Sequence, residues 1–109
     1  MIDWNRVTEL RNEVGADAFE EVISLFIEEV DDMIGQLRTM TDRAKLMDDL
    51  HFLKGSALNL GFADLAQLCA SDERIAKTKD PAQVDLGALI ACYEKSRAEF
   101  TAEINVQAG

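Results

Sequence analysis

Proline occurs once in this sequence, at Pro81, and histidine once, at His51. A single proline leaves little to interrupt long helices. One histidine and two well-separated cysteines, Cys69 and Cys92, give no zinc-ligand spacing, so no metal site is expected. Both cysteines fall on or near apolar helix faces and read as buried free thiols. No apolar run approaches the length of a membrane span. The opening residues, Met-Ile-Asp-Trp-Asn, place no basic segment ahead of an apolar one, so no signal peptide is expected and a cytoplasmic location is the default. Cations are scarce: 11 Lys and Arg face 21 Asp and Glu, for a formal net charge of −10. That balance argues against nucleic acid, whose phosphates need a basic stripe, and against anionic membrane surfaces. The chain also lacks a glycine-rich phosphate loop followed by Lys-Ser/Thr, so an ATP site of its own is not expected. No Ser/His/Asp or Cys/His arrangement suggests acyl transfer.

What is present is helical periodicity. The 109 residues suffice for one domain with one core, spanning 1–109, and 48% are hydrophobic, too many for a disordered chain. Asp3 caps a short first helix running to about Val14, and Gly15 ends it. Asp17 with Glu20 resembles a capping box for a second helix reaching about Met40. Phe19, Val22, Ile23, Phe26, Val30, Met33, Ile34 and Leu37 give that helix a long apolar face. Thr41 or Asp42 caps a third helix ending near Gly61. A fourth covers Phe62 to about Lys79, with Leu65, Leu68, Cys69, Ile75 and Ala76 inward. Asp80-Pro81 breaks it, and a fifth spans about Val84 to Ile104. No alternating strand pattern appears. The expectation is all-α: an antiparallel four-helix bundle with a short additional N-terminal helix.

The third helix carries the candidate chemistry. Leu46, Leu50, Leu53, Ala57 and Leu60 recur at spacings of three and four and form one apolar stripe. At about 100° per residue, His51 points roughly 140° away from that stripe. Lys54 and Gly55 bracket it on the same side. An exposed neutral imidazole is a nucleophile that titrates near neutrality. A phosphoryl group placed on it would bring negative charge, which an ammonium one turn away offsets. A glycine beside it leaves room for a second protein. The plain alternative is a solvated helix face with an ordinary surface histidine. Gly55 weighs against that alternative, because glycine inside a helix costs about 1 kcal/mol relative to alanine.

The string His51-Phe-Leu-Lys54-Gly55-Ser56-Ala57, followed by Asn59 and Gly61, resembles the signature of the histidine-containing phosphotransfer (HPt) domain family. The likeness continues through Leu65, Leu68-Cys69 and Glu73 and covers nearly the whole chain. One departure is Asp72, where the family usually has an apolar residue. The resemblance implies a phosphoryl carrier in a two-component phosphorelay. His51 would exchange a phosphoryl group, through Nε2, with the aspartate of a response-regulator receiver domain. It implies no cofactor on this chain, the Mg²⁺ belonging to the receiver, and no enzymatic activity of its own. A hybrid histidine kinase is a further candidate partner. The resemblance also lays the fourth helix beside the third, so that Glu73 and Lys77 face the His51 side.

On this reading His51 is the phosphoacceptor, and Lys54 and Lys77 support the phosphoryl group. Phe52, Gly55, Asp48 and Glu73 form the surface a partner approaches. Glu73 and Lys77, four apart, read equally well as a surface ion pair. Two other functions are weighed. One is a helical module that binds a receiver or kinase without phosphotransfer. The other is a homodimer resembling a kinase dimerisation domain, made less necessary by four long helices in one chain, which favour a monomer.

Overall fold

In the computed structural model, residues 2–108 are described, with side chains through Ile104. Five helices follow in order: α1 (Trp4–Val14), α2 (Ala16–Arg38), α3 (Leu46–Leu60), α4 (Ala63–Thr78) and α5 (Leu86–Ala108). A single 3-10 turn, Pro81–Gln83, lies between α4 and α5. Among the described residues there is no strand, only one isolated antiparallel bridge between Ile2 and Phe62. The helices α2 to α5 form a closed ring, α3 packing on α2 and α4, and α5 on α4 and α2. α1 lies against α2 and α3 at one end. The molecule is elongated, 44 × 22 × 19 Å. The all-α bundle with an extra N-terminal helix is therefore as expected. Among the described residues no helix is long and apolar enough to cross a membrane.

The centres of the predicted faces bury, while Ile23, Phe26 and Met33 of α2 and Leu68 and Ile75 of α4 are only partly buried at the edges, and Val22 lies outside the core. Val7 and Leu10 of α1, Phe19, Val30, Ile34 and Leu37 of α2, and Leu65, Cys69 and Ala76 of α4 enter one core with Leu89, Tyr93 and Phe100 of α5. Aromatic rings close the end under α1. Trp4 stacks on Phe100 at 5.7 Å, and Phe62 lies 5.5 Å from Phe100 and 6.3 Å from Tyr93. Cys69 is a free buried thiol and Cys92 a free half-buried one.

Several boundaries differ from the local signals. Asp3 caps α1 as expected, accepting the Arg6 N–H at 3.2 Å. Asp17 does not cap α2. Gly15, at φ 87°, ends α1 and starts α2 directly, which leaves Asp17 inside the first turn, where a negative charge meets the positive end of the helix dipole. Neither Thr41 nor Asp42 caps α3, which begins at Leu46. Asp42 instead closes a turn by accepting the Ala44 N–H at 3.0 Å. The next residue, Arg43, donates to the carbonyls of Pro81 and Val84, both at 2.8 Å, and ties this connection to the one before α5. Val84 and Asp85 precede α5 rather than open it, and the Asp85 carboxylate accepts the Ala88 N–H at 3.0 Å.

The end of α3 fixes how α3 meets α4. Gly61 adopts a left-handed conformation, φ 79° and ψ 20°. The Phe62 N–H reaches back to the Ala57 carbonyl at 2.8 Å, the long bond of a Schellman cap. Phe62 is thereby thrown into the core, and α4 starts at Ala63, one residue later than the apolar pattern suggests. The Asp3 N–H bonds the Gly61 carbonyl at 2.7 Å. A Cβ at position 61 would stand 2.6 Å from the Asp3 carbonyl oxygen, so glycine is required twice over.

Candidate functional site

The apolar stripe of α3 sets the direction of everything else on that helix. Leu46, Leu50, Leu53, Ala57 and Leu60 are all buried. His51 consequently projects outward, its side chain 76% exposed. A buried histidine would need its polar atoms answered inside the core. This one is available to solvent and to a partner.

Glu73 of α4 organises the charges beside it. Its Oε1 lies 3.1 Å from Lys54 Nζ, and its Oε2 lies 3.7 Å from His51 Nδ1. The first is an ion pair between half-buried side chains. The second is too long for a hydrogen bond and is an electrostatic contact. The carboxylate thus faces the Nδ1 edge of the ring. The Nε2 edge is the opposite one.

Gly55 leaves open space, since nothing lies within 4 Å of where its Cβ would be. Phe52 is exposed, as are Met47 one turn before His51 and Leu58 two turns after it. At helical spacing Met47, His51 and Leu58 share a face. Leu58, 57% exposed, is the largest exception to burial on α3. Met47 and Leu58 are apolar residues off the buried stripe, a signal that sequence reasoning passed over.

Two expected residues are placed less intimately. Asp48 is exposed and makes no ion pair among the described residues. Its neighbour Asp49 is half-buried, and desolvation, followed by the Asp48 charge, pushes its carboxyl upward. Lys77 is exposed and forms no ion pair with Glu73, four residues before it. Glu73 is turned across the helix interface towards α3, where Lys54 is within reach. Of the two readings weighed for Glu73 and Lys77, the local ion pair does not form, and Glu73 pairs between helices instead.

Asp72 keeps the phase of α4 and is buried inside it, at 5% exposure. Burial pushes its carboxyl up to about 6, with repulsion from Asp85 the second cause. Among the described residues no group of three or more His, Cys, Asp or Glu side chains is arranged to hold a metal ion.

A search of curated proteins and a search of solved structures each returned no match. A family model does match, the Hpt domain, over residues 21–103, which includes α3, α4 and most of α2 and α5. Hpt domains interact with receiver and kinase domains and carry a phosphoryl group without catalysing a reaction of their own. The chain belongs to this family of histidine-containing phosphotransfer domains, and that membership supports a role as a phosphoryl carrier in two-component signalling.

Proposed function

We propose that His51 is the phosphoacceptor and that Nε2 is the atom that takes the group. The observation that carries this reading is the pairing of an exposed imidazole with a carboxylate on its Nδ1 edge. A ring with its proton on Nδ1 presents an unprotonated Nε2 as nucleophile. Nε2 attacks the phosphorus of an aspartyl phosphate on a receiver domain. The Nε2–P bond forms as the P–O bond to the aspartate breaks, and the aspartate leaves as a free carboxylate. The imidazole retains its Nδ1 proton and becomes cationic, and Glu73 faces that proton. The reverse transfer uses the same contacts. Mg²⁺ belongs to the receiver and neutralises charge there.

Lys54, one helical turn on from His51, lies 3.1 Å from Glu73 in the resting domain. A phosphoryl group on His51 brings a charge of about −1.5 to −2 within one turn of it. The ammonium is then shared electrostatically between the Glu73 carboxylate and the new oxygens. Lys77, without an ion pair among the described residues, is the secondary cation on the same side. Gly55, Phe52 and Asp48 form the approach surface, and the exposed Met47 and Leu58 extend it along α3.

The partner on this reading is one receiver domain, with a hybrid histidine kinase as an alternative source of that receiver. The chain acts as a single domain over 1–109 and as a monomer, because four helices complete one core within one chain. It works in the cytoplasm and binds neither nucleic acid nor membrane, in keeping with its net charge of −10. Incubation with a phosphorylated receiver tests the assignment: acid-labile, base-stable label should appear on the wild type and not on His51→Gln. Docking without any label on the wild type would instead favour an interaction module.

A further inference from the structure

Asp72 and Glu73 are adjacent on α4 and serve different neighbours. Glu73 faces α3 and the imidazole. Asp72 continues the buried row Leu65, Cys69 and Ala76, is 5% exposed, and has an enclosed Oδ2 with no hydrogen-bond partner. A buried carboxyl in that state is far cheaper protonated than ionised.

Among the described residues no cation answers it. At the head of α5, Asp85 is a like charge acting on it. On its own helix the Cys69 thiol is pushed up to about 12 by burial first and by Asp72 second. The Cys92 thiol of α5 is likewise pushed up, chiefly by burial. On the α3 side, Lys54 is engaged with Glu73. The turn Pro81–Gln83, which packs on α4, has no titratable side chain, and Arg43, which reaches it, is spent on the Pro81 and Val84 carbonyls.

We propose that Asp72 is a proton-operated latch between α4 and α5: protonated, it sits in the interface as a neutral group, and ionised, it drives that interface to open and take up water. Because α4 also presents Glu73 to His51, the latch bears on how firmly the histidine site is assembled.

The sign follows from the direction of the displacement. Burial, then Asp85, raises the Asp72 carboxyl from 3.8 to about 6. The stability linked to this proton is therefore fully present below about pH 3.8 and is lost as pH rises through about 6. The displacement corresponds to a change on the order of 100-fold in the unfolding equilibrium constant.

The test uses the whole chain. Carbon-13 NMR follows the Asp72 carboxyl directly in the wild type, and urea melts from pH 4 to 8 compare the wild type with Asp72→Asn. Asp72 should titrate near pH 6. The wild-type unfolding constant should rise on the order of 100-fold relative to Asp72→Asn across the range. Hydrogen exchange along the α4–α5 interface, corrected for intrinsic rates, should quicken with pH in the wild type alone. Titration of Asp72 near pH 4 would overturn the latch, and so would an Asp72→Asn profile parallel to the wild type. Should Asp72→Asn fail to fold, hydrogen exchange in the wild type decides the matter: exchange along the α4–α5 interface that quickens through the titration supports the latch, and exchange that stays constant with pH overturns it.

Discussion

Helix α3 contains one glycine near its middle and is ended by another, and the two stand in opposite surroundings. Gly55 has helical neighbours, an exposed position and nothing within 4 Å of a built Cβ. Gly61 is buried, left-handed at φ 79°, and 2.6 Å from a backbone oxygen if given a Cβ. The fold demands Gly61. It makes no demand for Gly55, where glycine only weakens the helix. A residue that costs stability and packs against nothing points to an external requirement, and His51 four residues away supplies one. The same contrast separates the middle of α3, open to a partner, from its end, closed by Asp3 and Phe62.

Substitutions can sharpen or break that contrast. The largest effect belongs to the open region. His51→Gln should abolish phosphate acceptance while the thermal midpoint stays nearly constant, because an exposed side chain leaves no cavity. Label transfer and a melting curve on the same preparation check both halves. Next comes the closed region. Gly61→Ala forces a left-handed backbone on alanine and drives Cβ into the Asp3 carbonyl, so urea melts should show a loss of about 2–4 kcal/mol. An unchanged melt would mean that the α3–α4 corner yields easily and that the comparison is misplaced.

Lys54→Ala is expected to slow transfer about tenfold, equivalent to roughly 1–2 kcal/mol of lost charge stabilisation at a half-buried site. Rapid-quench transfer rates equal to the wild type would reduce Lys54 to a partner for Glu73. The smallest effect has the opposite sign. Gly55→Ala should stabilise the free domain by about 0.5–1 kcal/mol, since its Cβ enters open space. Gly55→Gln should stay folded yet weaken receiver docking and slow transfer. Loss of stability in Gly55→Ala would remove the argument from clearance.

The sequence made α3 readable because residue type and period agree there. Leucines and alanine at spacings of three and four define the buried stripe, and His51, Lys54 and Gly55 fall off it by arithmetic alone. The caps were less readable because distant contacts compete with local ones. Arg43 binds carbonyls about 40 residues away in the chain, and the turn it anchors moves the start of α3 past Asp42. Gly15 pre-empts the capping box at Asp17 and Glu20 by ending one helix and starting another. Glu73 shows the same limit. Rules for pairs within a helix nominate Lys77, whereas the partners lie across an interface, on α3. For Asp72 the period of α4 pointed inward and the residue type outward, and the period prevailed.

The central claim is that His51 takes phosphate on the nitrogen turned away from Glu73. It is tested most directly by labelling the domain with nitrogen-15, phosphorylating it from a receiver, and reading the nitrogen–phosphorus coupling on the imidazole by NMR. Coupling to Nε2 of His51, with Nδ1 still protonated, is the result this account predicts. Coupling to Nδ1, or phosphate on any other residue, would contradict it.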